Sequence, residues 1–137
     1  MAIGVVQETG TFADNTTAVS QASGGNVTAG ALIVVIGAKY SPTQDNFTAG
    51  DCTKSSGTAT VGTIALDVSV ARSDNDDANN WMHVGIWSCI VTGTGSCTMQ
   101  VGGALAGSYL IIGIGEYSGS CDAARLEDSD TASSIAN

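Results

Sequence analysis

The side chains that could carry out chemistry in this chain are few and widely separated. His83 is the only histidine among 137 residues, so a hydrolase of the Ser-His-Asp type would have to use it. The sequence contains no Gly-X-Ser-X-Gly turn to present a nucleophilic serine, and His83 lies within an apolar strand pattern between Met82 and Val84. We therefore expect a protein that is not an enzyme, with no catalytic residues and no cofactor.

Three aspartates in one polar segment have the oxygen ligands that a calcium ion needs. Asp74, Asp76 and Asp77 lie within RSDNDDANN, but this segment lacks the glycine and the distant glutamate of an EF-hand loop. A solvated surface loop explains these residues better, and the aspartates stand only as a calcium candidate. For zinc there is one histidine and no Cys-X-X-Cys pair, so we expect no metal centre.

Four cysteines allow three complete sets of pairs. Cys89 and Cys97 flank the turn-like segment VTGTGS and could face each other across a hairpin. Cys52 and Cys121, both in loop-like surroundings, could then pair by default. A bridge of either kind would stabilise a protein outside the cell by about 2 to 4 kcal/mol. The alternative is a set of buried free thiols made in a reducing compartment, and it stays open.

The net charge argues against two classes of partner. Thirteen acidic residues and four cationic ones give a formal net charge of −9. Four cations cannot replace the counterions around a phosphate backbone, and an anionic membrane would repel the chain, so we expect neither nucleic acid nor membrane as a partner. The apolar runs are also far shorter than the roughly 20 residues that a membrane-spanning helix needs. The start MAIGVVQETG resembles no signal peptide, and we expect it to be the mature terminus.

The composition indicates a protein that binds other proteins or itself. The chain has 43% hydrophobic residues, only 12% charged ones, eighteen glycines and a single proline, which is typical of strands joined by turns. Because the mean hydropathy is +0.20 and few charges keep molecules apart, we expect part of the surface to be covered by a partner or by further copies. The alternative is that small residues raise the average while Thr, Ser and Asn coat the surface.

Hydrophobic patterning predicts strands rather than helices. The runs 31–39 and 109–117 are apolar at both alternating positions, which predicts central strands buried on both faces. Segment 60–71 alternates, as a half-buried strand with one solvent face does. Segment 81–91 repeats the strand pattern, with one face formed by Met82, Val84, Ile86 and Ile90 and the other by Trp81, His83, Trp87, Cys89 and Val91. A hairpin with a return strand over 96–101 is expected to follow it.

The whole pattern predicts one all-β domain over residues 1–137. About eight strands joined by glycine-bearing turns favour an antiparallel β-sandwich of jelly-roll or Ig-like type. Residues 1–12 could be an extended arm or a strand that pairs with a partner, with Val5, Val6 and Phe12 as the expected interface residues. Shorter strand patterns cover 3–12, 17–22, 47–54 and 126–135.

The second half of the chain carries a family resemblance. It reads VGIWSCIVTGTGSCTMQV and then GSYLIIGIGEYSGSCDAARLEDSDTAS. A Thr/Val strand after a turn, followed by a tyrosine-initiated apolar strand that ends in Glu-Tyr-Ser-Gly, resembles a family of β-sandwich domains in phage and prophage virion proteins and related bacterial surface proteins. Leu-Glu at 126–127 stands where that family often has Leu-Asp. The motif residues are Glu116, Tyr117, Ser118 and Gly119.

This resemblance implies a structural role in a virion or an extracellular setting. The expectation that follows is a capsid decoration protein, or cement protein, on the outside of a bacteriophage shell, forming a homotrimer and bound to the major capsid protein or another virion protein. One alternative is a carbohydrate-binding or adhesion module with Trp81, Trp87 or Tyr109 as a sugar platform. Another is a self-assembling extracellular filament subunit.

For the motif itself a structural role is expected. A glutamate at the end of a strand can accept hydrogen bonds from the next turn, which would account for Glu116. The hydroxyl of Tyr117 is expected to fasten a loop or corner.

Overall fold

The computed structural model describes residues 4–14, 16–73, 80–103 and 109–119. Over these residues the chain is all-β and folds as a sandwich of two antiparallel sheets, which confirms the predicted fold class. A short 3-10 turn, Ala49–Asp51, precedes the fourth strand. The strands are β1 (Gly4–Ala13), β2 (Val19–Ala22), β3 (Leu32–Ser41), β4 (Cys52–Ser56), β5 (Thr60–Val61), β6 (Ala65–Ser73), β7 (Trp81–Gly93), β8 (Thr98–Val101) and β9 (Tyr109–Ser118).

The strands pair in a nested order around the middle of the chain. β1 pairs with β9, β2 with β8 and β3 with β7. The large sheet has the order β1-β9-β3-β7, with β5 and β6 both on the far side of β7, and the small sheet has the order β2-β8-β4. Successive strands from β1 to β4 thus alternate between the sheets, as do β7, β8 and β9. This is the winding of a jelly roll, one of the two sandwich types that the sequence predicted.

The core lies between the small sheet and one face of the large sheet. Strand alternation directs every second side chain of β3, β7 and β9 inward, where β-branched and aromatic residues fill the space. As predicted, His83, Trp87, Cys89 and Val91 share the inner side of β7. The large side chains at the centre of the core are Ile33, Val35, Trp87, Met99, Val101, Leu110 and Ile112.

The opposite face of the large sheet, here called the outer face, is not covered by any described part of the chain. Most of its side chains are nevertheless apolar: Ile36 is 49% exposed and Ile111 is 54% exposed. The prediction that 31–39 and 109–117 are buried on both faces is therefore wrong, because only one face of β3 and β9 meets the small sheet. Register places on the outer face Phe12, Ile36, Ala38, Tyr40, Val68, Val70, Met82, Val84, Ile86, Tyr109 and Ile111.

The strand β6 turns its valines outward. The alternation in 60–71 predicts that the polar side chains face solvent, but Val68 and Val70 are exposed while Ser69 donates a hydrogen bond to the Phe47 carbonyl at 3.0 Å. A register irregularity between Leu66 and Val68 fixes this orientation against β7. The segment is also divided, since β5 ends at Val61 before β6 begins.

The predicted hairpin between β7 and β8 does not form. β8 pairs with β2 and β4 in the small sheet and not with β7. The chain crosses between the sheets near Gly95, which bridges to Val27 and passes so close to the backbone of Ala59 that a side chain there would overlap it. The sequence pattern locates this turn but does not indicate which sheet the next strand joins.

The amino-terminal strand is part of the sheet and not a free arm. β1 pairs with β9 from Gly4 to Ala13, with one register irregularity after Val5. Its other edge pairs with no described strand, so it remains available to a partner. At 47–54 the predicted edge strand begins later, at Cys52, since Phe47 packs into the core. The predicted strand over 126–135 lies outside the described residues.

Two glycines make room for the central tryptophan. Gly37 and Gly85 are opposite each other on β3 and β7. A Cβ atom on Gly85 would overlap the Trp87 ring and lie 2.9 Å from Cδ2 of Phe47. We predict that Gly85→Ala lowers the free energy of unfolding by about 1 to 3 kcal/mol through overpacking, measured by urea denaturation.

The matched control for this variant is Gly62→Ala. A Cβ atom on Gly62 has its nearest neighbour at 3.6 Å, the carbonyl oxygen of Ile90. The control is expected to change stability by less than about 0.5 kcal/mol. Equal effects of the two substitutions would contradict the packing described around Trp87.

Candidate functional site

A buried lysine lies at one end of the core. Lys39 is 2% exposed, and its Nζ atom is 3.0 Å from Oδ2 of Asp45 and 2.9 Å from the carbonyl oxygen of Gly103. The same ammonium group lies 4.6 Å from the ring centre of Phe47. A buried cation is tolerated only when it is paired and hydrogen-bonded, and these contacts meet that requirement. Because its ammonium group is fully engaged by these contacts, we assign Lys39 a structural role.

The single histidine is buried beside this lysine. His83 pairs with Lys39 across β7 and β3, and its Nε2 atom lies 3.2 Å from the carbonyl oxygen of Thr43. Because a carbonyl can only accept, Nε2 carries the proton in this contact. Nδ1 is buried without a hydrogen-bond partner. Burial lowers the pKa of His83, and the charge of Lys39 lowers it further, against smaller opposing effects of Thr43 and Asp45.

The contacts of Lys39 and His83 hold the segment 42–48 against one end of the core. The Trp87 indole donates to the carbonyl of Thr48 at 3.1 Å, and Ser69 donates to the carbonyl of Phe47.

Trp87 is completely buried, whereas Tyr109 is on the outer face and 54% exposed. The structure therefore does not bring these two rings together with Trp81 as a sugar platform.

The buried histidine makes stability depend on pH. In the folded state the pKa of His83 lies below its ordinary value of 6.5, so the unfolded chain binds the proton more readily. We predict that the free energy of unfolding falls as the pH drops below about 6.5, by at most about 1.4 kcal/mol per pH unit from this residue. Urea denaturation between pH 7.5 and pH 5 measures the slope.

His83→Gln is the matched control, because glutamine can donate to Thr43 but does not titrate. The acidic residues contribute equally in both proteins, so the difference between the two slopes isolates the histidine. Identical slopes for wild type and His83→Gln would show that His83 is not held neutral by the fold.

The first residue of the Glu-Tyr-Ser-Gly motif is buried and hydrogen-bonded to two distant parts of the chain. Glu116 is 1% exposed; its Oε1 atom accepts from the backbone N–H of Thr28 at 2.7 Å, and its Oε2 atom accepts from the side chain of Gln7 at 2.6 Å. Gln7 in turn accepts from the N–H of Gly25 at 2.6 Å. Glu116 thus holds the 23–28 connection and β1, whose contacting residues lie 88 and 109 positions away in sequence, whereas we expected it to accept hydrogen bonds from the turn after its own strand.

The remaining motif residues fasten the end of β9 to β1. The Tyr117 hydroxyl donates to Oε1 of Glu8 at 3.2 Å, so it ties a neighbouring strand and not a loop. Burial raises the pKa of Tyr117, and the hydrogen bond and charge of Glu8 raise it further. Ser118 donates to the carbonyl of Gly4 at 3.4 Å. Gly119 has a φ of 137°, a backbone conformation that favours glycine.

The described cysteines are buried between the sheets. Cys97 is a free thiol, so the expected bridge to Cys89 is absent, and Cys52 is also a free thiol, so it is not bridged to Cys121. Cys121 itself lies outside the described residues. Burial raises the pKa of Cys52 to about 12, with Cys89 and Cys97 adding to the shift. The structure thus has the alternative that the sequence left open, thiols that pack as small apolar groups.

Thiol chemistry tests this arrangement. In a Cys121→Ser variant, we predict that no thiol reacts rapidly with an aromatic disulfide reagent at pH 8 in the native state, because the raised pKa of Cys52 and Cys97 suppresses the reactive thiolate. All three remaining thiols should react once urea unfolds the chain. A count below three in urea without reductant would reveal a bridge and contradict the structure.

The described residues hold no metal centre and no membrane-spanning helix. Among them, no group of three or more His, Cys, Asp or Glu side chains is placed to bind a metal ion. No helix in the same part of the chain is long and apolar enough to cross a membrane. The calcium candidate Asp74, Asp76 and Asp77 lies outside the described residues.

The outer face is the candidate interaction surface. One cross-strand row runs Phe12, Ile111, Ala38, Val84, Val70 from β1 to β6. Phe12 is 75% exposed and Met82 61%, which is far from the burial that large apolar side chains usually reach. Monomeric soluble proteins rarely expose a contiguous apolar patch of this kind, which makes the outer face the candidate interaction surface of the described residues.

A shallow depression lies within the outer face. It has a volume of about 280 Å³, its floor contains Gly113 and Gly115, and Ile36 and Tyr117 are among its walls. The only ionisable groups that line it are Glu8 and Tyr117, which are hydrogen-bonded to each other. The depression therefore has the size and the largely apolar lining to receive an apolar side chain.

The expected interface residues of β1 are all exposed. Val5 is 62% exposed and Val6 is 50% exposed, close to the free edge of the large sheet. Phe12 belongs to the outer face, where it is opposite Ile111. Sequence reasoning selected these β1 residues from their position, but it did not identify the rest of the outer face. The alternating valines of β6 were the available signal for it.

Comparison of the chain with family models, with curated proteins and with solved structures found no match.

Proposed function

We propose that this protein is a virion structural protein that acts as a capsid decoration, or cement, protein. The observation that carries the proposal is the outer face, an apolar sheet surface that the described chain leaves open. Most of the large apolar side chains with substantial exposure belong to it: Phe12, Ile36, Val68, Val70, Met82, Tyr109 and Ile111. A protein that holds other proteins together would bury this surface against its partners.

The polar interior supports the same proposal. Lys39, His83 and Glu116 are the groups that could have served an active site, and each is engaged in holding a connection or a neighbouring strand. None of them lines the depression of the outer face. The protein is therefore proposed to act by contact and not by catalysis.

The virion setting draws on the sequence resemblance and on the winding of the chain. Jelly rolls are a common architecture of viral capsid domains. The free edge of β1 offers backbone groups to which a strand of the major capsid protein, or of another virion protein, can be added. Many copies that each make modest contacts across neighbouring shell subunits would together resist expansion of the shell. The proposed location is the outside of the capsid.

Binding to shells tests the proposal. We predict that the protein is present in purified particles of the virus that encodes it, and that it binds saturably to shells stripped of it and raises their rupture temperature. The double variant Val5→Lys with Val6→Lys should bind at least about tenfold more weakly, because it places two charges beside the free edge of β1.

The matched control is Thr53→Lys with Ser55→Lys. Both residues are exposed on β4 of the small sheet, away from β1, and the control is expected to bind shells as the wild type does. Circular dichroism verifies that both variants keep the fold. Absence of the protein from particles, together with no binding to stripped shells, would contradict the proposed function.

A further inference from the structure

We infer that the outer face is covered by a second copy of this chain, in a twofold pair whose axis runs close to the direction of β3. The inference rests on the proposed structural role and names the partner of this one surface. Four observations support it: the uncharged middle of the face, the size of the face, the distribution of small and large residues along its central row, and the ionisable residues at one end.

The charge of the molecule restricts contact between copies to an uncharged surface, and the middle of the outer face is uncharged. Two copies with a net charge of −9 repel each other, so a stable contact between them has to use uncharged residues. The middle of the outer face is such a region, since its rows consist of Gly, Ala, Val, Ile and aromatic residues. A partner selected by opposite charge would instead bind where the acidic residues are.

The size of the outer face matches a stable interface. It is five strands wide, from β1 to β6, and its strands are mostly about ten residues long. With strands about 4.8 Å apart and about 3.3 Å per residue, the face measures roughly 24 by 33 Å, or about 800 Å². This is the area that each partner contributes to a standard protein interface.

The central row of the face is recessed on its β1 and β9 side and protrudes on its β7 and β6 side. The row through the centre reads Gly10, Gly113, Ile36, Ile86, Val68 from β1 to β6. A twofold axis along β3 places β7 of one copy over β9 of the other, and β6 over β1. Large residues then meet glycines, while Ile36 meets the same residue of the second copy near the axis.

The depression beside β9 receives side chains from β7 of the second copy. Gly113 and Gly115 form its floor beside Ile36, and the axis brings the Ile86 side chain of the other molecule above them. Two sheets that pack face to face lie about 10 Å apart with strands within about 30° of each other, so residues near the axis meet most directly. An apolar knob from β7 thus fills an apolar hollow beside β9.

The charged residues at one end of the face are complementary under the same axis. Arg72 is opposite Met82 and is the only cation on the outer face among the described residues. Asp14 follows Ala13, the partner of Leu110, and so stands at the same end of the sheet on the β1 side. Exchange of β6 and β1 brings Arg72 of each copy toward Asp14 of the other.

Filling the hollow tests the inference. Analytical ultracentrifugation of the wild type is expected to give twice the chain mass of 13.6 kDa. A Cβ atom at Gly113 meets nothing of its own molecule closer than the Thr9 carbonyl at 3.9 Å, and the depression beside it has room for the rest of a leucine side chain, so Gly113→Leu should fold normally. It should weaken self-association by roughly a hundredfold because it occupies the space of the partner's Ile86.

Two further variants complete this size test. Thr53→Leu, on the exposed side of β4, is the control and should associate as the wild type does. Adding Ile86→Ala to Gly113→Leu should recover most of the lost affinity, since it removes the knob that collides with the new leucine. A monomeric wild type, or unchanged association of Gly113→Leu, would overturn the inference.

Charge reversal tests the position of the axis. Arg72→Asp and Asp14→Arg should each weaken association several-fold at low salt, and the double variant should restore it. A double variant that associates no better than the single variants would overturn the β3 axis. A particle of three chain masses would overturn the twofold arrangement, and fibres seen by electron microscopy would do the same.

The two proposals can fail separately. A monomer that binds shells, and whose shell binding is lost in Gly113→Leu, would assign the outer face to the shell and overturn the second copy while keeping the proposed function. A dimer that dissociates on Gly113→Leu but never binds shells would support the second copy and contradict the decoration role.

Discussion

The fold depends on a mismatch between the two sheets. A sandwich of two layers leaves one face of each sheet uncovered, and because the large sheet is five strands wide and the small sheet has three strands, the wider uncovered face belongs to the large sheet. The jelly-roll winding produces this difference, because β5 and β6 join β7 instead of widening the small sheet. The inner face then forms a dense core around Trp87, while the equally apolar outer face stays open. The core stabilises the molecule, and the outer face gives it a surface that favours association.

The buried polar residues serve the winding. A chain that alternates between two sheets needs long connections, and the backbone groups of these connections must be satisfied where they close the ends of the core. Glu116 bonds the 23–28 connection, and His83 and Lys39 hold the 42–48 segment. The contacts of these charged or titratable side chains account for their presence in the interior. They satisfy the backbone at the two ends of the sandwich.

The sequence predicted the positions of the main strands, but it did not predict which sheet each strand joins or what covers its faces. Alternation located β3, β7 and β9 and assigned the inner side of β7 correctly, because the period of a strand is a local property. It could not show that β8 joins the small sheet, since both choices leave the same turn in the sequence. A run that is apolar at every position also looks the same whether its second face is covered by its own chain or by another molecule. The partners of Glu116 are similarly invisible, because they are brought close only by the winding.

The orientation of β6 supports the inference that the outer face packs against another protein molecule. A strand shifted by one residue turns all its side chains to the other face, so a lone monomer would lower its free energy by turning Val68 and Val70 inward. The irregularity after Leu66 does the opposite: it points both valines outward and leaves a carboxylate oxygen of Asp67 buried without a partner. Such an arrangement is unfavourable for an isolated sheet and favourable for one whose outer face packs against protein. The register of a single edge strand thus connects the sequence pattern to assembly.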